Sequence, residues 1–376
     1  MLDLPPALHQ SHRLSICAMT KPFVTVLIDT YNHEGFIEQA IVSVLEQDFP
    51  PGEIEVVVVD DGSTDDTPDI VRRFAPRVRY LRKANGGQAS AFNAGIPQAR
   101  GEVVAFLDGD DWWRKDKLSA VVGELEKRPD VGTVGHGRYE VYSGSKPHLM
   151  VVPERNYEVR LRNAAEARLF SQLRGFWGTS RLTIRKAVLD RILPIPEQVV
   201  VEADEYIFTL APAIAPAIVL SQPLFYYRFH DNNLFMIQSP DPVKQRCKQA
   251  SLAALANTLP GALTKLGVSQ DVIDAVLEPT RVEAERMKLS IEGGKPWRTF
   301  AVERTSFSLD YRHVSPAYRL FKWVTLSLTL ITPPRRFYRM RDWYSTSRLR
   351  GMRKLLGEPT TSAPVIQEGI ESGNRA

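Results

Sequence analysis

The sequence predicts an α/β protein, a mainly parallel sheet flanked by helices, with a C-terminal helical extension. Two features carry that expectation. Strand-like apolar runs alternate with segments of helical period over residues 23–127, in the order β-α-β-α-β-α-β-α. Three of the runs also end in an aspartate: Asp29, Asp60 and Asp108. Ligands of parallel sheets bind beyond the carboxyl ends of the strands, so three carboxylates distant in sequence meet at one edge.

Residues 23–28 (FVTVLI) form the first expected strand, running into Asp29-Thr30-Tyr31-Asn32. The helix after it places Phe36, Ile37, Ala40, Ile41, Val44 and Leu45 on one face. Residues 54–59 (IEVVVV) are a nearly unbroken β-branched run, as a strand covered on both faces requires. It ends at Asp60-Asp61-Gly62-Ser63-Thr64, where Ser63 or Thr64 is placed to cap a helix reaching Phe74. A shorter strand over 78–81 follows, and Asn85-Gly86-Gly87 turns the chain into a helix over 89–98. The fourth strand, from Val103, runs into Asp108-Gly109-Asp110-Asp111, with a helix over 114–127 behind it. From about residue 131 short strands alternate with glycines and aromatics; a helix opens near Asp204, and 217–220 and 225–230 read as strands. Residues 241–304 have a helical pattern without evident chemistry.

Bulk properties narrow the class. A chain of 376 residues, 43% hydrophobic and 24% charged, has the make-up of a soluble globular protein of one large domain or two. Cys17 and Cys247 stand too far apart in sequence for a metal motif or a disulfide framework, which fits a reducing cytoplasm. The first residues lack the basic start and apolar core of a secretory signal, and no run approaches the roughly 18 apolar residues of a membrane span.

Asp108, Asp110 and Asp111 crowd one strand end. Like charges so close repel unless they share a cation, and a hard divalent ion, Mg²⁺ or Mn²⁺, commonly carries a substrate phosphate as well. Aspartate and glycine are also ordinary turn residues. It is the position after three other strand signals that favours a site.

Thr30-Tyr31-Asn32, Val59-Asp60-Asp61-Gly62-Ser63-Thr64-Asp65, Asn85-Gly86-Gly87, Asn93-Ala94-Gly95 and Leu107-Asp108-Gly109-Asp110-Asp111 follow one another in a characteristic order and spacing. Together they resemble the nucleotide-sugar half of family 2 glycosyltransferases with the GT-A (nucleotide-diphospho-sugar transferase) fold, over about residues 23–230. The resemblance implies metal-dependent, inverting transfer of a sugar from a UDP-, GDP- or dTDP-linked donor to a hydroxyl acceptor, a glycan or lipid-linked sugar of a surface-polysaccharide pathway. It implies that Thr30, Tyr31 and Asp60 hold the nucleoside, Tyr31 by stacking and Asp60 by accepting a base N–H. Asn32, Asp61, Asn85, Gly86, Gly87, Asn93 and Gly109 belong to the same nucleotide-sugar set. Asp108 would bind ribose hydroxyls or the metal, and Asp110 would ligate Mg²⁺ or Mn²⁺ with Asp111 assisting. Asp29 stands where the family usually has proline. Arg82 and Lys83 are placed either near the phosphates or as surface charge on a strand end.

Transfer with inversion needs a base on the acceptor hydroxyl. The family uses an acid of a Glu-Asp pair before an aromatic; here the stretch is Glu202-Ala203-Asp204-Glu205-Tyr206. Register with Tyr206 favours Glu205, with Asp204 as the rival, while acids at a helix start also have the ordinary role of complementing its dipole. Arg228 and His230 form an Arg-x-His that the resemblance places near the diphosphate or metal. Trp177 is read either as a platform for the acceptor or as core.

Other users of strand-end carboxylates fit less well. A haloacid-dehalogenase-type phosphatase carries Asp-x-Asp on its first strand, not the fourth. A response-regulator receiver is shorter and needs a lysine after its fifth strand. A Rossmann dehydrogenase needs Gly-x-Gly-x-x-Gly where this chain has Asp-Thr-Tyr-Asn. A nucleotidyltransferase opens with a basic, glycine-rich loop that is missing after the first strand. The remaining alternative is a catalytically inactive nucleotide-sugar-binding scaffold or sensor at the membrane.

The organisation expected is a flexible segment over 1–20, the GT-A domain over 21–235, a helical extension over 236–310, basic amphipathic helices over 311–356 and a disordered tail over 357–376. In the fourth of these, Arg335, Arg336, Arg339, Arg341, Arg348, Arg350, Arg353 and Lys354 face only Asp342 in opposition. Apolar residues 320–331 precede them, and aromatics are interleaved. Such a composition suits a helix in the membrane interface, placing the protein in the cytoplasm and peripherally on the inner face of the membrane. No nucleic-acid-binding module is recognisable.

Overall fold

The computed structural model describes residues 23–142, 149–230, 233, 241–310 and 316–346. The first half follows the expected alternation. Strands β1 (Val24–Thr30), β2 (Ile54–Asp60), β3 (Arg79–Arg82) and β4 (Val103–Asp108) alternate with helices α1 (Ile37–Leu45), α2 (Thr67–Arg72), α3 (Gln88–Gly95) and α4 (Lys117–Lys127). These four strands are parallel, in the order β3-β2-β1-β4.

Beyond β4 the sheet is mixed. A short β5 (Trp112–Trp113) precedes α4, and β6 (Thr133–Tyr142), β7 (Leu149–Val151), β8 (Tyr157–Val159), α5 (Ala164–Leu173), β9 (Thr183–Arg185) and α6 (Lys186–Ile192) follow it. Then come α7 (Ala203–Ile214) and β10 (Ala217–Phe229). The sheet continues β4-β9-β6-β10-β5, with β9 antiparallel to both neighbours and β10 parallel to β6. The two strands expected over 217–220 and 225–230 are one strand, irregular on either side of Pro223, which has no N–H to give to a ladder.

Two other expectations shift. Asp66, not Ser63 or Thr64, stands at the start of α2, with Pro68 in its first turn, where a missing N–H costs nothing. Trp112 and Trp113 pair with β10, which delays α4 to Lys117.

Side-chain alternation explains the unbroken apolar strands. Val24, Val26, Ile28, Val56, Val58, Val103, Ala105 and Leu107 face α1, α2 and α4, while Leu27, Val57, Val59, Val104 and Phe106 face α3, α5, α6 and α7. Strands β1, β2 and β4 are buried on both faces, so nearly every position before the carboxyl end is apolar, with Thr25 and Glu55 as the exceptions.

Five further helices follow: α8 (Pro242–Lys265), α9 (Gln270–Glu292), α10 (Pro296–Asp310), α11 (Pro316–Leu328) and α12 (Pro334–Thr346). Leu255, Leu259 and Leu263 of α8 and Val272, Ile273, Val276 and Leu277 of α9 join the same core as Leu27 and Phe106. Helices α10 and α12 pack on α9, and α11 on α10. Residues 1–20 and 357–376, read as flexible and disordered segments, lie outside the described residues, as does part of 311–356.

The Asn93-Ala94-Gly95 motif acquires a packing reason. A Cβ on Gly95 would come within 2.6 Å of Val59 Cγ2 and 2.8 Å of Leu27 Cδ1, so glycine lets α3 lie directly on the sheet. Gly95→Ala is expected to destabilise the protein by roughly 1–3 kcal/mol through overpacking. Urea denaturation measures this, and an unchanged midpoint would show that α3 can lift at no cost.

Candidate active site

The carboxyl ends of β1, β2 and β4 form the floor of the site. Parallel register aligns Thr30 with Asp60 and Asp29 with Asp108, so the strand-end residues converge without any loop having to reach. On one side lies a wall of loops tied together by side chains. Asn32 takes a left-handed backbone (φ 55°), which asparagine tolerates, and its Oδ1 accepts the Thr64 N–H at 2.8 Å. Its own N–H donates to Ser63 Oγ at 2.9 Å. Tyr31 beside it is 44% exposed, a free aromatic face at the rim.

Asp60 is fully buried. Its Oδ1 accepts the Ser63 N–H at 2.7 Å, and its Oδ2 accepts the Tyr80 hydroxyl, with Arg82 Nε 3.8 Å away. Buried Asp61 organises the glycine loop: it accepts the N–H groups of Gly86 and Gly87, the latter at 2.6 Å, and pairs with Lys83 Nζ at 2.6 Å. Gly87 has φ +84°, and a Cβ there would meet the Val200 carbonyl at 2.4 Å, so this position requires glycine. Asn85 is exposed on the same loop. Arg82 donates to the Ser63 carbonyl at 2.7 Å; it and Lys83 thus brace this wall.

The acidic group forms the centre. Ligand oxygens of Asp108, Asp110 and Asp111 lie within 4.8 Å of one another. Gly109 lets this turn cross β1, since a Cβ would press on Thr30 Oγ1 at 2.7 Å and His33 Nδ1 at 2.9 Å. Burial first, then repulsion from Asp29, Asp110, Asp111 and Asp204, pushes the Asp108 carboxyl well above the usual range. Burial and the Asp110 charge do the same to Asp111, against hydrogen bonds from Ser180 and Arg228. Asp29 is pushed up to about 8, mainly by burial, and its Oδ1 is buried without a hydrogen-bond partner.

Asp110 behaves differently. Burial works against its charge, but a hydrogen bond from His230 and the charges of His33 and His230 bring it below the usual carboxylate value. His230 Nε2 lies 3.0 Å and His33 Nε2 3.9 Å from the same Asp110 oxygen. Arg228 is clamped at the end of β10. Its N–H donates to Asp111 Oδ1 at 3.0 Å, its Nε to the Asp110 carbonyl at 2.9 Å, and its guanidinium lies between Phe36 and Trp112. The Arg-x-His stretch and the acidic turn are therefore brought together.

An all-oxygen donor set with two nearby imidazoles, three mutually repelling carboxylates and an orphaned buried Asp29 oxygen suit a hard divalent cation. Asp108, Asp110, Asp111 and His230 are the residues able to hold it.

The start of α7 separates the two candidate bases. Asp204 points to the site: Oδ2 accepts the Thr179 N–H at 2.9 Å, with the Thr179 hydroxyl at 3.3 Å. Burial and the neighbouring Glu205 charge raise its carboxyl above the usual range. Glu205 turns the other way, into a buried ion pair with Arg174 and a 2.6 Å hydrogen bond from Thr280 of α9. Its carboxylate is fully engaged away from the acidic turn.

Two of the expected site residues are engaged elsewhere, and a third, read either as platform or as core, is core. Asn93 spends its amide on both backbone groups of Ile195, at 2.8 and 2.9 Å, and so pins a distant loop to α3. Trp177 is 3% exposed and packs against Phe170 and Gly135, which makes it core rather than a platform. Glu205 does not face the cluster.

Other residues enter that the sequence did not single out. Ser180 Oγ accepts the Asp108 N–H at 3.1 Å and lies 2.7 Å from Asp111 Oδ2 and 3.2 Å from Asp108 Oδ2. Gln88 Nε2 reaches Thr179 Oγ1 at 3.0 Å, with Asp29 and Asp108 at 3.4 and 3.5 Å, while its Oε1 accepts the Ala203 N–H. Only the Thr-Ser pair before a basic residue marked the first in sequence, and a helix-start glutamine marks nothing. Ser180→Ala is expected to lower Mn²⁺ affinity roughly 10- to 100-fold, the usual effect of removing a group that orients metal ligands. Calorimetric titration with Mn²⁺ alone reads this directly, and unchanged affinity would remove Ser180 from that role.

Comparison with known proteins gives the geometry a family. Residues 25–191 match the family model described as glycosyl transferase family 2. An uncharacterized glycosyltransferase of Nostoc sp. is 32% identical over 239 residues, which cover 62% of this chain and 73% of that protein. TuaG of Bacillus subtilis, a putative teichuronic acid biosynthesis glycosyltransferase, is 44% identical over 103 residues, 26% of this chain and 40% of that one. Among solved structures, Staphylococcus aureus TarS 1–349 in complex with UDP-GlcNAc aligns with a TM-score of 0.54 at 22% identity, covering 84% of this chain and 91% of that chain; the likeness is one of fold. A mixed sheet wrapped by helices, acids at three parallel strand ends and these matches together place the chain in glycosyltransferase family 2, with the GT-A fold.

Proposed function

We propose that this glycosyltransferase transfers a sugar, with inversion and with a divalent cation bound, from a nucleotide-diphosphate donor to a hydroxyl of a glycan or lipid-linked acceptor at the cytoplasmic face of a membrane. One observation carries the reading. The neighbouring residues Thr179 and Ser180 hold Asp204 on one side and Asp108 with Asp111 on the other, fixing a desolvated carboxylate beside the acidic turn.

In this scheme Tyr31 stacks on the base, and Thr30, Asn32, Asp60, Asp61 and the Gly86-Gly87 loop shape the nucleoside pocket. Asp108 meets the ribose or the cation, with Arg228 and His230 on the diphosphate side. Asp204 takes the proton of the acceptor hydroxyl. The freed oxygen attacks the anomeric carbon as the bond to the diphosphate oxygen breaks, and the electron pair leaves with the phosphate. A raised carboxyl pKa suits that proton transfer, which is worth roughly 10²–10⁴ in rate. The cation, when bound, neutralises charge developing on the leaving diphosphate. A single displacement from the face opposite the leaving group gives inversion.

The TuaG name and the UDP-GlcNAc in the TarS complex support a UDP-linked donor and a surface-polysaccharide acceptor as the first candidates. Calorimetry with UDP, GDP and dTDP, each with Mn²⁺ and with EDTA, selects among donors. Asp110→Ala is expected to abolish the metal-dependent part of nucleotide binding; if that part survives, Asp110 is not a ligand. Asp204→Asn should keep nucleotide affinity and lower transfer about 10²- to 10⁴-fold. Glu205→Gln should instead act on stability, by roughly 3 kcal/mol as expected for breaking a buried ion pair. If Glu205→Gln alone removed transfer in a protein of unchanged stability, the base would be Glu205.

A further inference from the structure

We propose that the outward face of α11 and of the turn after it docks on an anionic lipid surface, inserting its apolar side chains among the headgroups. The proposal deepens the reading of a membrane-presented acceptor and does not depend on the transfer chemistry.

Leu320, Trp323, Val324, Leu328 and Ile331 are 67, 45, 56, 47 and 78% exposed. Leu320, Trp323, Val324 and Leu328 are spaced i, i+3, i+4 and i+8, so they form one stripe along α11, and Ile331 follows in the turn after it. The stripe is not a misread core face, because Tyr318 and Leu326 on the opposite side are buried. Eleven large apolar side chains are exposed among the described residues, and seven of them lie between 320 and 340. Single exposed apolar residues are normal on any surface; a run concentrated in this way marks a binding face.

Charge identifies the occupant. Residues 316–346 hold Arg319, Lys322, Arg335, Arg336, Arg339 and Arg341 against one acid, Asp342, and α11 contains no acidic residue. Arg319, Arg335, Arg336 and Arg339 are exposed, and Met340, 61% exposed, adjoins Arg339 on α12. A second copy meeting this face through a two-fold axis would set these positive rims against each other. An anionic bilayer offers hydrocarbon to the stripe and negative charge to its flanks, the combination interfacial helices use. Spanning is excluded for this segment. Its thirteen residues extend about 20 Å against the roughly 30 Å of a bilayer core, and none of the described helices is long and apolar enough to cross.

The test is co-sedimentation of the full chain with vesicles of equal parts phosphatidylcholine and phosphatidylglycerol, and with phosphatidylcholine alone. The chain is expected to bind the mixed vesicles and to lose that binding as salt rises. Leu328→Glu with Ile331→Glu should weaken it at least about tenfold, with circular dichroism and Mn²⁺-dependent nucleotide binding unchanged, since both side chains face solvent. Arg336→Glu with Arg339→Glu should remove the preference for the anionic lipid. Equal binding by parent and apolar-face variant would overturn the proposal, as would a parent that never sediments. A parent dimer in light scattering that this variant dissociates, without vesicle binding, would assign the face to a second copy. Nucleotide binding measured in parallel separates the two readings: vesicle binding without it leaves the docking face standing and the donor site in question.

Discussion

Mutual repulsion among carboxylates is the constraint around which this molecule is arranged. Asp29, Asp108, Asp110, Asp111 and Asp204 approach one another in a region largely withdrawn from water, and burial raises the cost of every charge among them. Each is held by a donor: Asp108 by Ser180, Asp111 by Ser180 and the Arg228 N–H, Asp110 by His230, Asp204 by Thr179, and Asp29 weakly by Gln88. These donors come from three separate regions of the chain, so the site can exist only when the sheet is complete. Asp29 remains least satisfied, with one oxygen unpartnered, which marks where the arrangement still calls for positive charge or a proton.

Sheet register makes the approach unavoidable. Parallel pairing of β1 with β2 and β4 brings Asp29 level with Asp108 and Thr30 level with Asp60. This part was legible because parallel strands covered on both faces write themselves as unbroken apolar runs, and the first polar residue after such a run marks its end. The acidic cluster followed from the same geometry, whereas the Arg-x-His stretch and the glycine loop were legible only through the resemblance of their motifs. The mixed half of the sheet was harder to see, since β5 and β9 have only two and three residues and carry no readable period.

Side-chain direction was less legible than position. Asp204 and Glu205 are adjacent, and one residue turns an α-helix by about 100°, so one carboxylate faces the site while the other faces α9. Sequence register with Tyr206 could not say which, because that depends on how α7 is rotated against its neighbours. Asn93 was misplaced, and Trp177 stayed open between two readings, for a related reason. A residue type that suits a ligand also suits a loop clamp or a core, and only the packing of α3 against the Ile195 segment and of Gly135 against the indole decides between them. Ser180 and Gln88 carried too little chemical distinction to be noticed without the contacts they make.

The rotation of α7 is itself set by the helices beyond the sheet. Arg174 and Thr280 hold Glu205, Lys248 of α8 pairs with Glu202 at 3.0 Å, and Ser251 accepts the Val201 N–H at 3.1 Å. Burial raises the Glu202 carboxyl to about 7, so proximity to Lys248 only partly offsets its desolvation. Polar contacts that costly are weak contributors to net stability, but breaking one partner leaves a buried charge, which penalises any other orientation of the helix. Glu205, by anchoring its own side chain to α9, thus fixes the turn of α7 that presents Asp204 to Thr179. Helices α8 and α9 in this sense set the orientation of Asp204, although they contribute no group to the acidic turn.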